Sequence, residues 1–288
     1  MRHDDIPAFL GSHASALQKG PVAVILVEDP VEVDSTIRHH LACGFASVLV
    51  LAPPTLELAD DLDDIVHVIG HNTAAADAAP AGVNPLISRA KPGTWFYYGY
   101  NAEYLFYPFR ESRTVAEMLA FHVEERRDAM LTYVVDLYAA DLGAAPNAVS
   151  LEDAHLDSAG YYALARHDAA GAIQERQLDF FGGLKWRFEE HTHPKRRRID
   201  RIGLFRAGPG VRLLSDHRMS VAEMNTFACP WHNNMTAAVA SFRTAKALKA
   251  NAGSTFEIEG FHWAKSVRFD WTSQQLMDLG LMEPGKWF

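Results

Sequence analysis

The chain's hydrophobic pattern switches repeatedly between unbroken apolar runs and spaced apolar stripes. PVAVILVED (21–29) runs apolar until two acids close it, which predicts a strand buried on both faces of a parallel sheet. In PVEVDSTIRHHLACGF, Asp34 or Ser35 stands as an N-cap, Ile37 and Leu41 are spaced by four, and Gly44 supplies a stop, so a helix follows. ASVLVLAPP (46–54) and DIVHVIGHN (64–72) read as the next two strands. Thr73 to Gly82 reads as a connection, and NPLISRAKPG (84–93) as a short helix with proline in its first turn.

WFYYGYNAEYLFYPF (95–109) has nine aromatic residues in fifteen and one carboxylate, Glu103, which predicts an aromatic strand. A carboxylate in such a strand must reach a strand end or meet a cation, because burying its charge unpaired costs several kcal/mol. Thr114-x-x-Glu117 is a capping box, and Val115, Met118, Leu119 and His122 share one face of the helix behind it. LTYVVDLYAAD (131–141) is another strand. Beyond Gly143 the pattern loosens: YYALARHD, RIDRIGLFRA and VRLLSDHRM read as extended segments. PWHNNMTAAVASFRTAKALKANAG (230–253) reads as one helix starting at Pro230, with Met235, Val239 and Phe242 on a stripe.

The alternation over 21–140 predicts an α/β protein with a doubly wound, mostly parallel sheet. Ligands of such sheets bind outside the carboxyl ends of the strands. The acids to watch are therefore Glu28, Asp29 and Asp136, with Glu103 if its strand bends there.

Composition narrows the partners. The 288 residues are 48% hydrophobic and 22% charged, ordinary globular usage, and the net charge of -9 argues against a general nucleic-acid binder. One segment is basic: Lys185 to Arg206 holds eight Lys or Arg against three acids. No run is long enough to span a bilayer, and the charged N-terminal stretch lacks the apolar core of a signal peptide. With two distant cysteines, Cys43 and Cys229, a reducing cytoplasm is the expected compartment, with peripheral membrane contact left open. No G-x-S-x-G, G-x-G-x-x-G or Walker sequence is present.

Residues 20–220 resemble the family 2-like glycosyltransferases of GT-A type. VEDPVEVDSTIRHHLACGFASVLVLAP matches the family's opening strand, its His-bearing helix and its second strand, with Glu28-Asp29, His39-His40 and Gly44-Phe45 at the matching positions. YNAEYL (100–105) matches the family's Asp-x-Asp-Glu-Phe-Leu, but Tyr100 and Ala102 replace both metal-binding aspartates. KRRRIDRIGLFRA and Asp216-His217 match the later basic strand and diphosphate-closing segment.

The resemblance implies a GT-A-like domain over 1–220 with a helical cap over 221–288, and transfer of a sugar from a nucleotide-diphosphate donor to a glycan, lipid or protein acceptor. It places Glu28, Asp29, Tyr100 and Glu103 at the nucleoside and sugar, Arg196, Arg198, Arg201 and His217 at the diphosphate, and Asp216 or Asp136 as the base. The family's Mn²⁺ or Mg²⁺ neutralises the leaving group; with both aspartates gone, either the arginines substitute, since guanidinium clamps phosphate oxygens, or Asp136 or Asp216 holds a displaced ion. The alternative is a non-catalytic relative that binds a sugar nucleotide or glycan. For each residue a structural role competes: Glu103 as an ion pair with Arg110 or Arg113, the basic run as a solvated surface, Asp216-His217 as a turn.

Overall fold

The computed structural model of the protein describes residues 1–227 and 234–287. Strand β1 (Arg2–His3) and helix α1 (Ile6–His13) precede the first apolar run, which forms β2 (Val22–Leu26) with every residue buried. Then come α2 (Val33–Ala42), β3 (Ser47–Ala52), the short α3 (Asp60–Asp63), β4 (His67–Gly70) and α4 (Ala78–Arg89). The aromatic run gives β5 (Trp95–Tyr100) and β6 (Glu103–Phe106), and α5 (Val115–Glu124) follows. The rest comprises β7 (Ala129–Ala139), β8 (Ala154–Asp157), β9 (Tyr162–His167), β10 (Ile173–Phe181), α6 (Leu184–Arg187), β11 (Asp200–Arg206), β12 (Ala237–Ser241), α7 (Arg243–Ala250), β13 (Ser266–Arg268) and α8 (Ser273–Asp278).

Two compact units result, each assembled from separated stretches. Unit 1 comprises Met1–Tyr104, Ser112–Leu131 and Ile202–Asn225; unit 2 comprises Leu105–Glu111, Thr132–Arg201 and Thr226–Phe288.

Unit 1 is an α/β layer. Its strands lie in the order β1-β4-β3-β2-β5-β11, parallel from β1 to β5, with β11 antiparallel to β5 through Leu204 opposite Tyr97. From β2 the chain winds outward to β3 and β4, then crosses back to lay β5 on the other side of β2. Right-handed crossovers then require α2 and α4 on opposite faces of the sheet. Gly82 of α4 sits where an added Cβ would come 2.5 Å from a Leu51 methyl, so the helix backbone lies against β3. Cys43 is buried behind α2, and Cys229 lies outside the described residues.

Unit 2 is more irregular. β7 pairs in parallel with β12 (Val134 opposite Val239) and antiparallel with β8, which pairs in turn with β13. β9 and β10 form a separate hairpin. Tyr138, Leu184, Ala245, Leu248, Ile258 and Phe261 pack into one of its buried clusters.

Four local expectations need correction. The cap of α2 is neither Asp34 nor Ser35 but Glu32, at φ 53°, with no side-chain cap bond; Asp34 instead accepts from the Ala59 amide at 3.3 Å. α4 begins at Ala78 and holds Pro85 in its interior, because the alanines before it are strong helix formers that extend the helix upstream of the proline. The aromatic segment is two strands broken at Asn101-Ala102, where Ala102 takes φ 58°. The predicted 230–253 helix begins outside the described residues; within them, Ala237–Ser241 is a strand, its small and branched side chains buried on both faces, and only Arg243–Ala250 is helical. The Thr114–Glu117 capping box is present in both directions, at 3.3 and 2.7 Å.

Candidate functional site

In unit 1 the order β4-β3-β2-β5 reverses direction between β2 and β5, which makes the carboxyl ends of these two strands the topological switch point, where open α/β sheets bind ligands. β2 runs out through Val27 into Glu28, which is exposed, and Asp29, which is half-buried. β5 ends at the buried Tyr100.

Asn101, wholly buried, ties the two ends together. Its Oδ1 accepts the Glu28 amide at 2.9 Å, and its Nδ2 donates to Asp29 Oδ1 at 2.8 Å, to the Asp29 carbonyl at 3.0 Å and to the Val31 carbonyl at 2.9 Å. Asp29 Oδ1 also accepts the Val31 amide at 2.9 Å, so its carboxylate shapes the loop that carries Glu28. Thr73, at the end of β4's exit, donates to the Val27 carbonyl at 2.6 Å and fixes the same loop from the other side. Asn101 is the residue that sequence reasoning missed. Its partners lie at least seventy positions away, and the only local hint is a lone turn-forming amide inside an aromatic run.

Glu103 is buried at 1% exposure, and its Oε2 accepts the Tyr100 amide at 2.9 Å. It therefore stands at a strand end, where it caps the bend from β5 to β6. The left-handed Ala102 contributes its amide to Thr36 Oγ1 at 2.8 Å. Arg113 pairs with Glu117 in a loose, exposed contact of 3.8 Å.

His217 joins the same end of unit 1. It sits at φ 65° in a tight turn between Leu213 and Met219, and its carbonyl accepts the Ile202 amide at 3.1 Å. A non-glycine residue held there is strained by about 1 kcal/mol or more, a cost that concentrates at ligand sites. Its ring lies parallel to Tyr98 at 6.0 Å and edge-on to Tyr100 at 6.5 Å, and Nδ1 is 3.0 Å from the Tyr98 hydroxyl. Asp216, beside it, chelates the Arg218 guanidinium at 2.5 Å. Glu28, Asp29, Tyr100, Glu103, Asp216 and His217 thus all belong to unit 1, with Tyr100 and His217 in ring contact.

The remaining candidates belong to unit 2. Asp136 is fully enclosed: Oδ2 accepts the Leu184 amide at 2.9 Å, and Oδ1 has no hydrogen-bond partner. Burial pushes its pKa up to about 6 against the opposing pull of Lys185 and Thr244, and Asp157 adds to the rise. Gly183 covers it at φ 61°, where a Cβ would come 2.7 Å from Oδ2. Asp157 nearby is clamped by Tyr138 (2.5 Å), Trp263 (2.7 Å) and Arg187 (3.0 Å).

The basic run is largely engaged within unit 2. Arg198 pairs with Asp179 at 2.9 Å and approaches Asp200 at 3.9 Å, Arg197 pairs with Glu189 at 3.0 Å, and Arg201 is buried. Arg196 is exposed.

Among the described residues no group of three or more His, Cys, Asp or Glu is placed to hold a metal ion. At the two positions where the resemblance expects aspartates, Tyr100 and Ala102 are both buried and offer no carboxylate, so these residues do not fit a divalent ion. No helix among the described residues is long and apolar enough to cross a membrane. No protein-family model matches the chain, and no curated protein matches it either.

Proposed function

We propose that the protein is a GT-A-type glycosyltransferase that takes its sugar from a nucleotide diphosphate and binds the nucleoside at the β2–β5 switch point. The observation that carries this reading is the reversal of strand order at β2 and β5, with Glu28 exposed where β2 ends and its loop pinned by Asn101. The β2–α2 connection is VEDPVE, with three acids and no glycine. Such a loop suits ribose hydroxyls and a base edge rather than a phosphate, which seeks bare amides.

On this reading Tyr100 contributes to the wall of the nucleoside pocket, and Glu103 holds the bend behind it. Charge building on the departing diphosphate is met by the His217 imidazole, whose orientation Tyr98 sets. Asp216 takes the base role, since Asp136 is sealed from solvent. No step in this reading passes through a divalent ion.

The test is thermal unfolding with UDP-, GDP- and CDP-sugars, each with and without Mn²⁺, alongside sugar release. A bound nucleotide at a hundred times its Kd adds about 2.7 kcal/mol of stability. Stabilisation that ignores Mn²⁺, is reduced in E28Q and comes with sugar release supports the enzyme. Absence of stabilisation by every nucleotide removes it.

A second reading, a non-catalytic module that binds a sugar nucleotide or glycan, is favoured by Tyr100 and Ala102 at the two aspartate positions. Binding without turnover selects it.

A further inference from the structure

We infer that unit 2 docks onto an anionic membrane surface through an apolar strip on its β9–β10 hairpin flanked by Lys195 and Arg196.

The strip is built rung by rung. Tyr162 and Leu164 alternate with Ala163 along β9 and so share one face, and they are 46% and 55% exposed. Tyr162 lies opposite Phe181 of β10, and their rings stack at 5.3 Å with a 19° interplanar angle. Phe181 in turn bridges antiparallel to Arg198, so the chain carrying the basic run lies next to the hairpin. Trp186, 41% exposed, covers Gly160, where an added Cβ would come 2.9 Å from its ring. Gly160 is two residues from Tyr162, so the indole covers the chain just before the strip begins.

A hairpin outside the main sheet gains nothing from presenting Tyr, Leu and Trp to water. Each exposed apolar side chain forgoes part of the transfer energy that burial would supply. A contiguous exposed strip of this kind marks a protein or membrane contact.

Charge chooses between these. Lys195 and Arg196 are exposed at the turn leading to Arg198, and their side chains make no ion pair among the described residues. Asp179, opposite Leu164, would repel an anionic surface, but it is held by Arg166 at 2.7 Å and Arg198 at 2.9 Å, and those two cations keep its carboxyl low. Glu189 is likewise paired with Arg197. In a chain of net charge -9, Lys195 and Arg196 stand exposed beside the strip, with Glu190 the exposed acid nearest them in the sequence and Asp168 and Glu175 exposed farther along the hairpin. Tyr and Trp favour the headgroup level of a bilayer, and each cation near an anionic leaflet adds attraction that falls away with salt. Apolar anchoring plus flanking cations is the pair of signals that makes interfacial binding stable. The inference does not depend on the glycosyltransferase reading.

The experiment is flotation of the full chain with phosphatidylcholine vesicles, alone or containing phosphatidylserine, at low and high salt. Co-flotation with the anionic vesicles only, weakened by salt, is expected. K195E/R196E should weaken it at least tenfold, and L164E should abolish it while leaving the circular dichroism unchanged; W186A gives an independent second test. Equal binding to neutral vesicles overturns the inference, as does retention of binding by K195E/R196E and L164E together. Absence of flotation with concentration-dependent dimerisation that L164E removes would reassign the strip to a second copy of the chain, and that also overturns it. Absence of both overturns it outright.

Discussion

Asn101 reaches back across the switch point to Asp29, with Nδ2 2.8 Å from the carboxylate and 3.0 Å from the backbone carbonyl of that residue. The pair joins the end of β5 to the end of β2. In N101A the Glu28 amide and the Asp29 and Val31 carbonyls lose their buried partner together. At about 1 kcal/mol per hydrogen bond, with an added penalty for each group left unpaired, the loss should be about 3 kcal/mol in urea unfolding. Nucleotide-induced stabilisation should fall further in N101A than in E28Q, because N101A moves the whole loop.

Glu103 should behave as a cap. E103Q keeps an oxygen for the Tyr100 amide and should cost about 1 kcal/mol, whereas E103A should cost about 2–3 kcal/mol by leaving that amide unpaired. Equal costs for the two variants in chemical denaturation would mean the carboxylate's charge, and not its acceptor role, is what the bend needs.

His217 separates strain from function. Glycine adopts φ 65° freely, so H217G should be more stable than H217A by about 1 kcal/mol, both having lost the ring contacts to Tyr98 and Tyr100. If the His217 ring receives the diphosphate, both variants should lower kcat by tenfold or more, with nucleoside affinity little changed. Steady-state kinetics beside thermal unfolding gives both readouts.

Two buried groups bend the pH dependence of stability in opposite directions. His122 is enclosed with Nε2 2.9 Å from the Ala129 carbonyl, and burial lowers its pKa to about 4. The stability from keeping it neutral is present above 6.5 and is lost as pH falls towards about 4. Burial raises Asp136 to about 6, so its contribution is full below 3.8 and is lost as pH rises through about 6. Each shift is worth about 3 kcal/mol. D136N should remove the alkaline loss, so unfolding free energy measured from pH 4 to 8 should rise more steeply with pH than in the natural chain. H122Q should flatten the acid side.

Asp157 and Arg187 form a buried ion pair at 3.0 Å, with Arg187 over the Trp263 ring at 4.8 Å. Removing one partner strands the other, so D157A and R187A should each cost about 3–5 kcal/mol. The double variant should cost far less than their sum, which a double-mutant cycle on guanidinium unfolding would measure.

What was legible in the sequence was whatever a short window encodes. Val22–Leu26 and Ser47–Ala52 are strands because Val, Ile and Leu fill most of their positions, and Thr114–Glu117 caps α5 because the motif needs only four residues. Ala237–Ser241 was not legible: the three alanines of AAVAS favour a helix, and pairing with β7 overrides that preference. α1 and the β10 half of the hairpin also carried too little periodicity to be foreseen. At the candidate site the acids at the β2 end were visible as strand-end carboxylates. Asn101 was not, because its role is fixed by partners at least seventy residues away that no local pattern connects.

Because β11 and the His217 turn reach unit 1 only from beyond residue 200, a nascent chain of about 130 residues has made β2 to β5 yet lacks the strand that closes β5. Until then the backbone amides and carbonyls along Trp95–Tyr100 form an open aromatic edge able to recruit any passing extended segment. Expression of the N-terminal half alone should therefore yield inclusion bodies, and ribosome-associated holding factors should matter most during synthesis of the stretch between Ala129 and Arg206.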